Sequence, residues 1–191
     1  MSGLKFWNTS SPLQRRAIVL VGVSLLVGFF ISQRRILHNA ASVPSWQTFA
    51  TSGDHPFRIQ MPVSPRHSVH DVALPSLGIT VRKGIFVSED SATRQYVLSV
   101  TSYPVHTPPF PSAAIVQAEM QALFPKSSDY RIDVTPKDNG ADFSARRFDG
   151  GPLARGRILI DGASVYVFSF SAPPEFFSDE LYQTFITSFQ K

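Results

Sequence analysis

His67, His70 and Asp71 are the nearest approach to a metal-ligand cluster in this chain, with Asp54 and His55 not far away in sequence. On a helix His67 and His70 share a face, whereas on a strand they point to opposite faces. Pro62, Pro65 and Pro75 surround them, which argues for a loop and a solvated role. Zinc requires three or four ligands held by outer partners, and this segment offers no such set, so no metal or cofactor is expected. The chain has no cysteine, which removes disulfides, thiolate metal sites and thiol nucleophiles together.

Nucleophilic chemistry finds no motif either. No serine lies in a Gly-x-Ser-x-Gly elbow. Ser188 and Lys191 have Ser-x-x-Lys spacing, but at the chain terminus. Gly150, Gly151 and Gly156 lack the lysine and the strand-to-helix context of a phosphate loop. Glu89-Asp90 and Asp179-Glu180 read as a turn and a helix start. No catalytic residue is assigned, and the expected class is non-enzymatic.

The group with most content is Arg146, Arg155 and Arg157. A hairpin turning at Gly150-Gly151 and pairing Phe148 with Leu153 sets Arg146 opposite Arg155, with Arg157 on the same face. Directly opposed like charges are unfavourable unless compensated. Asp133, Asp149 or Asp161 are candidates to do so, which leaves an ordinary satisfied surface. The sharper alternative is a docking patch for an acidic partner or for anionic lipid headgroups.

These arginines need a sheet to hold them. Trp46 to Ala50 is a strand candidate, and Phe57-Arg58-Ile59-Gln60-Met61 alternates as a half-buried strand should. Ile79 to Val87 and Gln95 to Tyr103 follow. After Pro104, Pro108, Pro109 and Pro111, Ser112 is placed to cap a helix whose apolar positions are Val116, Met120, Leu123 and Phe124, ending at Pro125. Ile132 to Val134 reads as a short strand and Asn139-Gly140 as a turn. Asp142 to Phe148, Leu153 to Ile160 and Ser164 to Phe170 form two hairpins, the second about Asp161-Gly162. Pro173-Pro174 then introduce a helix of roughly fifteen residues with Phe177, Leu181, Phe185 and Phe189 on one face. The order predicts an α+β domain, an antiparallel sheet with helices packed across it.

From Ala17 to Ser32 sixteen residues run without a charge. At about 1.5 Å per residue they span roughly 24 Å as a helix, and flanking residues with snorkelling Arg15, Arg16, Arg34 and Arg35 extend the reach. The competing readings are a cleaved signal peptide, against which the arginines directly after the run argue, and a core helix, against which its all-round apolarity argues. The expected organisation is a basic tail at 1–16, a membrane span at 17–33, a tether at 34–45 and a soluble domain at 46–191. Lys5, Arg15 and Arg16 on the N-terminal side favour a cytoplasmic N-terminus and an extracytoplasmic, periplasmic domain at the inner membrane. The same segment explains the net charge of +4. Residues 1–44 hold five Lys or Arg and no acid, leaving thirteen bases against fourteen acids in the rest. The domain therefore lacks the electrostatic footprint of a nucleic-acid binder.

The strand Phe57-Arg58-Ile59-Gln60-Met61-Pro62 with Pro65 resembles the opening of domains in the PsbP/Mog1/DcrB-like superfamily. The Asp161-Gly162 hairpin and the ending Phe185-Ile186-Thr187-Ser188-Phe189 are similar to how those domains close. The resemblance spans about residues 45–190. It implies an αβα sandwich in a membrane-facing or periplasmic accessory or assembly factor, and it implies no catalytic residues. The leading expectation is a tethered domain that binds or helps assemble an envelope protein. An anion or small-ligand domain, using a groove beside the sheet and the arginine face, is the alternative. A hydrolase whose His55, His67, His70 or His106 converge on an acid is the third.

Overall fold

The computed structural model describes residues 44–52, 55–90, 94–104 and 109–191. The chain divides into two units, Met1–Ser42 and Val43–Lys191. The expected tail, membrane span and nearly all of the tether lie outside the described residues, as do Asp54, His106 and Pro108. Among the described residues no helix is long and apolar enough to cross a membrane.

The described residues form nine strands and two α-helices: β1 (Gln47–Thr51), β2 (Phe57–Met61), β3 (Arg66–Leu74), β4 (Ile79–Glu89), β5 (Gln95–Ser102), α1 (Ser112–Leu123), β6 (Tyr130–Lys137), β7 (Gly140–Arg147), β8 (Leu153–Asp161), β9 (Ser164–Ala172) and α2 (Asp179–Thr187). β1 and β2 form a two-stranded hairpin. The other seven build one antiparallel sheet in the order β3-β4-β5-β9-β8-β7-β6. The expected α+β class with an antiparallel sheet and two helices is what the chain forms.

In place of the expected loop, the proline-flanked stretch forms β3, a nine-residue strand paired with β4 from Arg66–Val87 to Leu74–Ile79. Pro65 and Pro75 lie just outside its ends, where no ladder N–H is required. Its residues are mostly exposed because it is an edge strand, so no apolar alternation marks it in the sequence.

Strand alternation sorts the core onto two faces. Tyr96, Leu98 and Val100 of β5 and Tyr166, Phe168 and Phe170 of β9 pack with the β1–β2 hairpin and α2. Val165 and Val167 of β9, Ile158 of β8 and Phe143 of β7 pack with α1. Both helices depart from their expected bounds. Pro111, not Ser112, occupies the cap position of α1, without a side-chain cap. The buried residues of α1 are Ile115, Ala118, Glu119 and Met120, with Val116, Leu123 and Phe124 half-buried beside them. α2 has nine residues rather than about fifteen. Pro174–Phe176 form a separate 3-10 turn, and Ser178 starts the helix by accepting a hydrogen bond from the Leu181 N–H at 3.3 Å. Phe177 and Phe189 flank the helix and still enter the core, against Phe170 at 5.1 Å and Phe168 at 5.0 Å.

A polar bolt fixes α1 to the sheet. Lys83 of β4 donates to Glu119 at 2.5 Å, and the Tyr103 hydroxyl donates to the other carboxylate oxygen at 2.9 Å. Burial holds the Tyr103 phenol above its ordinary range, and the Glu119 charge adds to the effect.

Candidate functional site

The β1–β2 hairpin and α2 pack on β4, β5 and β9 and reach Leu159 and Arg155 of β8, leaving the same face largely bare across β6 and β7 and half-covered on β8. Alternation places Arg131 of β6, Arg146 of β7, and Arg155 and Arg157 of β8 on this bare surface. The three arginines singled out from the sequence therefore do share a face.

Their pairing differs from the expected one by two residues. Arg146 opposes Leu153, Ser144 opposes Arg155, and Asp142 opposes Arg157. The cause is the loop at 148–152, which is longer than a tight turn. Asp149 organises it, binding Arg147 at 2.7 Å and accepting from the Gly151 N–H at 3.0 Å. Phe148 is thereby left outside the ladder and 71% exposed. A slip of two keeps every side chain on its face and changes only its partner.

The partners decide what each arginine can do. Arg157 binds Asp142 through two hydrogen bonds, at 2.6 and 3.2 Å. That guanidinium holds the Asp142 carboxyl below its usual range against the opposing effect of burial. Arg155 binds Asp179 at the start of α2, and its guanidinium lies 5.0 Å from the Tyr182 ring centroid. The expected compensators Asp133, Asp149 and Asp161 serve neither of these two. Arg146 is different. It directly opposes Arg131 across β6 and β7, and among the described residues it makes no hydrogen bond or ion pair. Arg131 has only Asp133 at 3.8 Å, both largely in solvent. Between Arg131, Arg146 and Arg155 lies a depression of about 440 Å³ with Ser144, Leu153 and Phe177 in its wall. Arg131 went unrecognised because its strand, which begins at Tyr130, was expected to begin at Ile132.

Among the described residues, His67 and His70 are not brought together as a metal cluster would need. His67 and His70 lie on opposite faces of β3, as a strand requires. His67 stacks on Phe86 at 4.3 Å and His70 contacts Ser68 at 3.0 Å. Among the described residues no group of three or more metal-ligating side chains converges. His55 instead meets two hydroxyls: one ring nitrogen hydrogen-bonds Ser102, and the other lies 3.0 Å from Ser164. Thr51 secures this position by donating to the His55 carbonyl at 3.2 Å and accepting from the Phe57 N–H at 3.3 Å. Nothing local in the sequence links residues 55, 102 and 164.

On the α1 side, a groove of about 540 Å³ runs between α1 and β6, with Val116, Met120, Phe124, Ile132 and Val134 among its apolar walls.

No protein-family model matches this chain, and no curated protein matches it. Among solved structures the chain is similar to the solution structure of cyanobacterial PsbP (CyanoP) from Synechocystis sp. PCC 6803, at 14% identity and a TM-score of 0.46. The likeness covers 78% of this chain and 94% of that one. It is a likeness of fold, and the roles of the side chains here rest on their own geometry.

Proposed function

We propose that this domain is a non-enzymatic docking module that binds an acidic surface of an envelope protein through the bare arginine face of β6, β7 and β8. The observation that supports this reading is the opposition of Arg131 and Arg146. Directly opposed like charges disfavour the folded sheet, and among the described residues no acid is bonded to Arg146. An acidic partner offers two guanidiniums a bidentate match that their own sheet leaves unfilled. Arg155 and Arg157, bound to Asp179 and Asp142, hold the edges of the patch in place. The uncharged run at 17–33 supplies the tether in this reading, keeping the domain outside the cytoplasm and close to its neighbour at the inner membrane.

The test is recovery of partners after mild crosslinking and gentle detergent extraction of the full chain. The double variant Arg131→Ser, Arg146→Ser is expected to lose a partner that the parent retains. Unchanged recovery, or a parent recovered alone, overturns the proposal. Protease accessibility of the domain in intact and permeabilised cells checks the assigned side of the membrane.

A further inference from the structure

At the opposite end of the same sheet face the residues fall in three rows across adjacent strands. The cross-strand register aligns Asp71, Arg82, Ser102 and Ser164 in one row, Val69, Gly84, Val100 and Tyr166 in the next, and His67, Phe86, Leu98 and Phe168 in the third. The β1–β2 hairpin overhangs these rows and closes a groove of about 580 Å³. Its floor is the middle row, where Gly84 withholds a side chain. One end is the His67–Phe86 stack and the other is Arg82 with Ser102 and His55. Arg82 is exposed and, among the described residues, carries no hydrogen bond or ion pair, although Asp71 stands opposite it on β3.

We infer that this groove is a binding site for a small oxyanion, a carboxylate or a phosphate monoester, carried on a flat aromatic body. The aromatic part lies over Gly84 against the Phe86 and His67 rings, where a face-on or edge-on contact is favourable. The oxyanion meets the Arg82 guanidinium, whose fork suits either group. The Ser102 hydroxyl supplies the second donor, oriented by His55. A neutral imidazole has one donor and one acceptor nitrogen. With the proton on the nitrogen facing Ser102, the imidazole donates to that hydroxyl oxygen and accepts from the Ser164 hydroxyl. Ser102 is then free to donate its own proton to the ligand. An anion beside Ser102 thus selects one tautomer of a relay already assembled. Asp71 stands opposite Arg82, and its negative charge repels an anion there, so removing that charge strengthens binding.

The probes are para-fluorobenzoate and para-fluorophenyl phosphate, followed by fluorine NMR on the full chain in a nonionic detergent, with fluorobenzene as the uncharged body. At least one anionic probe is expected to bind, and fluorobenzene more weakly. Arg82→Gln should weaken the bound anion by about tenfold, the usual effect of losing a hydrogen bond to a charged group. Asp71→Asn should move affinity the other way. Gly84→Leu should abolish binding by filling the floor while the fold survives. A carbon added at Gly84 meets its nearest neighbour, a His67 ring nitrogen, at an ordinary 3.5 Å, and the backbone there is not left-handed. A melting curve on each variant confirms folding. Neither anion binding, fluorobenzene binding equally well, or a folded Gly84→Leu or Arg82→Gln variant that binds unchanged overturns the site. So does loss of binding in Arg131→Ser, Arg146→Ser, since that would move the ligand to the docking face. Because the two sites share no residue, failure of one reading leaves the other standing.

Discussion

Under α1, Lys83 and Glu119 meet in the core, with Glu119 fully buried and Tyr103 filling the carboxylate's second oxygen. Across the sheet, Arg131 and Arg146 face each other in solvent with no acid bonded to Arg146 among the described residues. The same sheet therefore completes this pair on one face and leaves Arg131 and Arg146 facing each other on the other. Desolvation explains the asymmetry. A buried charge without its partner is intolerable to the fold, whereas solvent screens an exposed one until something arrives to use it. Completed charge holds the fold together here, and in the proposed docking role the unfinished charge is what a partner would meet.

Glu119→Ala should have the largest effect on the fold. It strands the Lys83 ammonium beneath α1, and the expected loss is about 3–5 kcal/mol, as for removing one partner of a buried pair. Urea unfolding measures it. The double change Lys83→Met, Glu119→Leu should recover most of that loss, because the pair as a whole is worth little against apolar packing. If both variants lose stability equally, the bolt is not electrostatic.

An intermediate case is Asp142–Arg157, half in solvent on the bare face. Asp142→Asn should cost about 1 kcal/mol or less at neutral pH, as for a partly exposed pair. The sign of its pH dependence is fixed. The folded Asp142 titrates below its unfolded value, so its contribution is complete above the unfolded value near pH 4 and is lost as pH falls through the folded one. Parent and variant unfolding curves should therefore converge in acid and separate at neutral pH. Convergence at neutral pH instead would show that Arg157 contributes through packing alone.

Legibility from the sequence followed locality. β2, with Phe57, Ile59 and Met61 buried in alternation, was visible because its pattern is contained in five residues. The hairpin at Asp161-Gly162 was visible because the turn chemistry is local, with Gly162 taking a φ of +58°. β3 was not visible, since an edge strand whose residues are mostly exposed leaves no period to read. The arginine face was legible as a face. Its pairing was not, because Asp149 sets the register through a loop conformation that Gly150-Gly151 alone does not specify. Lys83–Glu119, Ser102–His55–Ser164 and the row through Arg82 join residues tens of positions apart, and only the topology brings them together.

The smallest expected effect on stability is also the most informative about the bare face. Arg146→Ser removes a charge with no bonded acid among the described residues, so stability should change by no more than about 0.5 kcal/mol, or rise slightly as the repulsion with Arg131 is relieved. Arg155→Ser, by contrast, breaks the contact with Asp179 and the stacking on Tyr182, and should cost up to about 1 kcal/mol. If the face exists for docking, the order reverses for association. Arg146→Ser should slow partner capture more than Arg155→Ser, with a difference that shrinks as salt rises, because unpaired charge steers encounter while paired charge does not. Surface capture of the crosslinked partner at two ionic strengths measures it. Equal association rates for the two variants at low salt would mean that the unfinished pair is not what the partner meets.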